Sequence, residues 1–392
     1  MEECKPILNT GLRGFKVAST KISDVDGNAG KLIYRGYLIK ELAEKISFEE
    51  VAYLLLYEKL PSQEELDRFN TLLVEERQVP PEVILSLENR PKDALPMDIL
   101  QAGTAMLAHH DPDAKELSLE AVNRMAIKLI AKFPTIVAAW ERIRNHKKPI
   151  EPNPDLGHAA NFLYMISGTV PDDELAGFFD VCMVLHAEHS FNASTFAARE
   201  VASTRAHMYS AVTAGVGSLS GELHGGANTR VMEMLLDIGS VEKVEEYINH
   251  LLETGGKIMG LGHAVYKTDD PRAHILAPMS KVMGERLGDT RWYEMSKQLE
   301  QKAKEAFRRK KGRDIYVNVD FYSASLYYYM GIPTDLFTPI FAIARIVGWV
   351  AHVIEEQFGG AAPKPVLYRP DSQYIGDYCG PDLCEFVPME KR

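Results

Sequence analysis

Apolar residues along the chain recur mostly at three- and four-residue steps, the period of a helix that buries one face. From Asp172 the positions Leu175, Phe178, Phe179, Cys182 and Leu185 keep this step, and from Thr338 to Gln357 so do Ile340, Ile343, Val347, Val350 and Ile354. Helix starts are marked as well. Ser47-Phe-Glu-Glu50 and Ser62-Gln-Glu-Glu65 are capping-box patterns, in which a hydroxyl and a carboxylate satisfy backbone amides that a helix leaves unpaired at its N-terminus. Only residues 30–37 (GKLIYRGY) read as a short strand after a turn. The pattern predicts an all-α fold.

Two stretches interrupt this texture. Residues 213–230 carry Gly215, Gly217, Gly221, Gly225 and Gly226, and residues 254–274 are Gly-rich and contain Pro271. Glycine clusters in a helical chain mark tight turns or close approach of the backbone to a ligand. At 392 residues the chain exceeds what one core usually organises. No repeat, low-complexity tract or long linker divides it, so two interleaved, closely packed domains are expected.

Composition narrows the class. The apolar (46%) and charged (25%) fractions are those of a soluble globular protein. No apolar run approaches the ~20 residues of a membrane span, so no membrane is expected as a partner. The start MEECKPILNTGLRG lacks a basic stretch leading into an apolar one, which predicts no secretory leader. The four cysteines, Cys4, Cys182, Cys379 and Cys384, are too scattered for a disulfide scaffold, and reduced thiols in a cytoplasmic protein are expected. Cys379 and Cys384 lack two further nearby ligands for zinc and read as ordinary thiols. The net charge of −11 repels nucleic acid; an anionic substrate would need a locally basic site.

Several motifs fail on inspection. Asp24-Val-Asp26-Gly-Asn28 starts like a calcium loop, but its twelfth position is Arg35 where a glutamate is required. His186-Ala-Glu-His189 has neither HExxH spacing nor an evident third zinc ligand. Thr254-Gly-Gly-Lys257-Ile is not a phosphate loop, Gly215-Val-Gly217 does not continue into a dinucleotide fingerprint, and Gly217-Ser-Leu-Ser-Gly221 misplaces the serine of a nucleophile elbow. Asn192-Ala-Ser is a glycosylation site by spelling alone.

Three segments remain, each setting an acid–base residue beside glycine or a turn. They are Leu223-His224-Gly-Gly-Ala-Asn228, Gly260-Leu-Gly-His263-Ala-Val-Tyr-Lys267-Thr-Asp-Asp-Pro-Arg272, and Val317-Asn-Val-Asp320-Phe-Tyr. Taken alone, a histidine beside glycine is usually a structural hydrogen-bonder and an aspartate before a helix usually its N-cap. Together they supply two donors and a base, the set that carbon-acid chemistry needs. A thioester α-proton yields to a carboxylate only when the developing enolate oxygen receives a preorganised hydrogen bond.

These segments, in this order, resemble the signature blocks of the citrate synthase family: LHGGAN, GHxVYKTxDPRA and NVDFYS. His186-Ala-Glu-His189-Ser-Phe-Asn-Ala-Ser-Thr-Phe resembles the family's HADHxxNASTF block, and the likeness runs from Asp26–Gly36 to Tyr-Arg369-Pro. The resemblance implies a large helical domain (1–225 and 332–392) with a smaller one (226–331) inserted, closing over a cleft. It implies condensation of acetyl-CoA with oxaloacetate, with His224 holding the acyl carbonyl, Asp320 taking the methyl proton and His263 protonating the ketone oxygen. It assigns oxaloacetate to His189, Arg272, Arg345 and Arg369, the last reaching the other subunit of a homodimer. It assigns CoA to the backbone of Lys257, Ile258, Met259, Gly260 and Leu261 and to Lys267. Acetyl-CoA is then a cosubstrate, with no permanently bound cofactor and no metal.

An arginine in so apolar a helix as that around Arg345 independently calls for an anionic partner. The basic run Arg308–Arg313 reads as a solvated face or as a positive field for phosphate. Glu222 and Ala324 depart from residues frequent in the family, Glu222 either tuning His224 or facing solvent. A 2-methylcitrate synthase using propionyl-CoA is the rival within the family, since one methylene discriminates modestly. A non-catalytic CoA-binding protein on this fold would be expected to have lost one of the three acid–base residues.

Overall fold

The computed structural model describes residues 11–12, 14–263, 265–360, 366–375 and 388–391. Cys4 and the Cys379/Cys384 pair lie outside the described residues; Cys182 is a buried free thiol.

The fold is built on the helix Phe337–Phe358, whose sixteen buried residues include Trp349, Arg345 and His352. Helices Leu119–Arg144, Asp173–His186, Ala193–Ser203, Met208–Leu219 and Phe48–Tyr57 pack around it. By length and composition the stretch Thr334–Phe358 could cross a membrane, against the expectation that no run approaches such a span. Here it is a core helix, with 89% of its most apolar window buried inside the protein. An all-round apolar helix is what the centre of a large helical layer requires.

Both expected capping boxes form. Ser47 accepts from the Glu50 amide (3.2 Å) while the Glu50 carboxylate accepts from the Ser47 amide (2.7 Å), and Ser62 and Glu65 repeat the exchange. The helix expected after Asp172 starts there, with Asp172 as its side-chain cap. The glycine-rich stretch 213–230 is not uniformly a helix breaker, however: Gly215 and Gly217 lie inside Met208–Leu219. A β-carbon at Gly215 would stand 3.3 Å from the Trp349 ring, so glycine lets the two helices approach.

The strand expected within 30–37 becomes part of a three-stranded antiparallel sheet, β1 (Ser23–Asp26), β2 (Lys31–Tyr34) and β3 (Tyr37–Leu38). In register, Ser23 faces Tyr34 and Asp26 faces Lys31. Tyr34 is fully buried and donates its hydroxyl to the Glu188 carbonyl (2.9 Å), tying the sheet to the chain just before His189. A second group of helices, Ala227–Ile238, Val244–Thr254, Ala273–Leu287, Arg291–Lys311 and Val319–Tyr329, packs mainly among its own members.

Candidate active site

A cleft of about 1080 Å³ gathers His189, His224, His263, Arg272, Asp320 and Arg345 on one lining. These residues span more than 150 positions of sequence, and the fold brings them together from five segments.

His224 follows the helix Met208–Leu219 on a turn that needs glycine, because a β-carbon at Gly225 would fall 1.9 Å from the Leu219 carbonyl oxygen. The Ser194 amide donates to His224 Nε2 (3.2 Å), with the Ser194 hydroxyl 2.8 Å away. An amide can only donate, so Nε2 is an acceptor and the ring proton sits on Nδ1. His263 is fixed the opposite way: the amides of Val265 (3.0 Å) and Tyr266 (3.1 Å) both donate to Nδ1, leaving the proton on Nε2. Burial, reinforced by Arg345 beside His224 and by Arg272 beside His263, lowers both imidazoles to about 4. At neutral pH His224 and His263 are therefore both uncharged, each with one N–H of fixed position.

Asp320 lies in the first turn of Val319–Tyr329. An aspartate there is ordinarily the cap, but Asn318 takes that role by accepting from the Asp320 amide (3.1 Å), and the Asp320 carboxylate is left to the cleft. Burial pushes it up to about 6, with Arg272 and Arg345 opposing and Asp270 adding.

Arg345 is 1% exposed. Its Nε donates to the His186 carbonyl (2.8 Å) and its guanidinium lies 4.6 Å from the Phe341 ring centre. Burial, offset in part by the Glu188 carboxylate, lowers it to about 10. Arg272, 2% exposed, grips Asp270 in two-pronged fashion, Nε to Oδ1 at 2.9 Å and Nη2 to Oδ2 at 2.7 Å. The same Asp270 accepts from the Val319 amide (3.1 Å), joining this arginine to the helix that carries Asp320. His189 is buried, its Nε2 3.3 Å from the Tyr266 hydroxyl.

The other expected residues lie outside this lining. Lys257–Leu261 do not line the cleft: Ile258 and Gly260 are buried, Lys257 is exposed, and the Gly260 carbonyl accepts from the Asn318 amide (3.0 Å). Lys267 is exposed. Arg369 is exposed on the C-terminal segment and is not part of the cleft lining. The basic run closes the helix Arg291–Lys311, where cations suit the C-terminal dipole, and Arg308 pairs with Asp314 (2.7 Å). Glu222 is exposed, its carboxylate 3.6 Å from Arg230, so it faces solvent and not His224. Ala324 is buried in Val319–Tyr329. His186 Nδ1 is bonded to the Cys182 carbonyl (2.7 Å), and among the described residues no cluster of metal-ligating side chains forms. Ser194, Asp270, Asn318 and Tyr266 lie inside the quoted blocks, but the sequence gives none of them a role.

Such a site can polarise two carbonyl oxygens with neutral N–H donors, take a proton with a desolvated carboxylate, and hold an anion on two arginines. Because Asp320 binds its proton more tightly folded than unfolded, the native state binds more protons between pH 4 and 6 and stability falls as pH rises through that window. Asp320→Asn is therefore expected to raise the thermal midpoint at pH 7, by the equivalent of up to about 3 kcal/mol, and to be indistinguishable from the parent below pH 4. Scanning calorimetry across pH checks this; an unchanged or lower midpoint at pH 7 would contradict it.

The comparisons with known proteins agree with this chemistry. Residues 11–371 match the family model described as citrate synthase, C-terminal domain. The chain is similar to the citrate synthase of Haloferax volcanii, 43% identical over 394 residues that cover 98% of this chain and 99% of the relative. Relatives named 2-methylcitrate synthase match at 39% identity. Its structure is similar to the citrate synthase of Pyrobaculum aerophilum (TM-score 0.90, 39% identity, covering 99% of this chain and 98% of the other). It is also similar to the Thermoplasma acidophilum enzyme, described as a ternary complex with carboxymethyl coenzyme A and oxaloacetate (TM-score 0.87, 28% identity, covering 99% and 100%).

Proposed function

The chain belongs to the citrate synthase family, and we propose that it condenses acetyl-CoA, oxaloacetate and water into citrate and CoA with Asp320 as base and His224 and His263 as donors. The observation that carries the assignment of roles is the pair of oppositely fixed neutral imidazoles flanking a carboxylate pushed up to about 6.

In this reading Asp320 removes a methyl proton, and the C–H electrons form the enol double bond while His224 Nδ1–H holds the thioester oxygen. The enol carbon attacks the ketone carbon of oxaloacetate, and the ketone oxygen takes a proton from His263 Nε2. Water then cleaves the thioester of citryl-CoA, releasing citrate and CoA. A carboxylate at about 6 is a stronger base than an ordinary one yet still ionised at pH 7. Neutral donors, unlike imidazolium ions, can be buried beside two arginines without electrostatic conflict. Asp320→Asn is expected to lower kcat by about 10²–10⁴-fold. In the parent, kcat/KM should fall below pH 6 along one acid limb, the imidazoles remaining neutral down to about 4. Thiol release with acetyl-CoA and with propionyl-CoA checks both; undiminished turnover would remove Asp320 from the mechanism, and a preference for propionyl-CoA would favour 2-methylcitrate synthesis.

The cleft's own charges support a site completed by closure and by a second subunit. Arg272 and Arg345 are already matched by Asp270 and Glu188, and Asp320 adds a further carboxylate. With Lys16 and Asp24 also on the lining, a dianion meets no net positive charge among the described residues of one chain. We place the moving unit at residues 226–331, which carry His263, Arg272 and Asp320 across from His189, His224 and Arg345. Oxaloacetate should then reduce the radius of gyration in solution scattering, and no compaction would refute the closure.

The remaining cation is assigned to Arg369 of the second subunit in a homodimer. Arg369→Ala should raise the oxaloacetate KM at least about tenfold, the loss of one charge-assisted pair. Mixing and refolding it with Asp320→Asn should restore activity, because a hybrid pairs one intact base with one intact Arg369. Without such restoration, Arg369 does not act across subunits.

A further inference from the structure

The failed calcium-loop motif has a different use. Asp26 Oδ1 accepts from the amides of Asn28 (3.0 Å) and Ala29 (2.9 Å), which stiffens the turn between β1 and β2. The turn then meets the segment that holds His263. The Gly27 carbonyl accepts from the Lys267 amide (2.8 Å). A β-carbon at Gly27 would lie 2.2 Å from the Val265 carbonyl oxygen and 2.7 Å from its carbon, and one at Gly30 would lie 2.8 Å from the Thr268 methyl. Gly27 does not have a positive φ, so glycine serves close approach there and not chain reversal.

Val265 is also the residue whose amide fixes His263 Nδ1 (3.0 Å). One peptide's width thus separates the turn from the hydrogen bond that selects the His263 tautomer. We propose that the β1–β2 turn is a backbone brace for His263, with Gly27 as a positioning residue for the proton donor. The brace fixes Val265 and Lys267 from the side of the sheet, so that two amides converge on Nδ1 and Nε2–H faces the cleft. Any side chain at 27 displaces the Val265 peptide, and the imidazole loses its fixed orientation.

The inference rests on His263 as the donor to the oxaloacetate ketone, and the test separates the two. Gly27→Ala, His263→Asn and Asn28→Ala are compared for kcat, oxaloacetate KM and the infrared stretch of the ketone carbonyl of bound oxaloacetate. That stretch reports polarisation by the donor and is insensitive to a loss of stability alone. Gly27→Ala should lower kcat by about 10–100-fold, as small misplacements of catalytic groups do. It should change KM far less and return the carbonyl stretch toward its value in water, as His263→Asn does. Asn28→Ala, whose side chain makes none of these contacts, should match the parent. An unshifted stretch in Gly27→Ala with a shifted one in His263→Asn overturns the brace. Unshifted stretches in both overturn the role of His263 itself. Should Gly27→Ala not fold, amide exchange in the parent decides: Lys267 should exchange slowly, and more slowly with oxaloacetate. Exchange at the rate of a free amide overturns the brace.

Discussion

A guanidinium cannot stand in a helical core without a counter-charge, and the arrangement around Arg345 answers that constraint. Arg345, Gly348 and His352 lie on one face of Phe337–Phe358, and the fully buried Glu188 carboxylate approaches that face at Gly348. A β-carbon at Gly348 would stand 2.2 Å from Glu188 Oε2, so glycine opens the space. Burial alone would raise Glu188, but His352 (3.0 Å), Arg345 and the Ser23 hydroxyl (2.8 Å) more than offset it and keep the carboxylate ionised. The neighbouring elements take their positions from this contact. β1 supplies Ser23, β2 supplies Tyr34 to the Glu188 backbone, and the chain after Glu188 delivers His189 to the cleft.

Burial sets the protonation of the donors, and the same cations reinforce it. Arg345 adds to burial in opposing charge on His224 and Arg272 does so on His263, so the residues that favour an anion also help keep both imidazoles neutral. Backbone amides then choose the tautomers, from a helix N-terminus for His224 and from a tight loop for His263. Neither device requires a particular side chain at the donor position. This explains why the histidines stood out in the sequence while the groups that orient them did not.

Legibility followed the range of the interaction. Helix periods and capping boxes are local, and Ser47, Ser62 and Asp172 did what their spacing predicts. The acid–base residues were legible because glycine, a local signal, accompanied them. Ser194 lies thirty positions from His224, and Ser23 lies 165 from Glu188. Nothing in either's neighbourhood encodes the partner. Strand β1, Ser-Asp-Val-Asp, shows no alternation of apolar residues; pairing with β2 makes it a strand. The glycines at 215, 27 and 348 resemble turn glycines in sequence but serve close packing, a distinction only the contacting atoms make.

Two effects compete at Asp320, and their sizes decide its chemistry. A carboxylate in the first turn of a helix is stabilised as the anion by roughly 0.3–1 kcal/mol, which would lower its pKa, and Arg272 and Arg345 act in the same direction. The carboxyl nonetheless rises from 3.8 to about 6, roughly 3 kcal/mol against ionisation. Desolvation, with the Asp270 carboxylate adding to it, therefore exceeds the helix dipole and both arginines together. Asn318 contributes by taking the cap, for a carboxylate bonded to backbone amides would have been held low. Base strength at this position is thus a property of the setting more than of the residue. Any change that exposes Asp320 further to water weakens the base as directly as a change in the carboxylate itself.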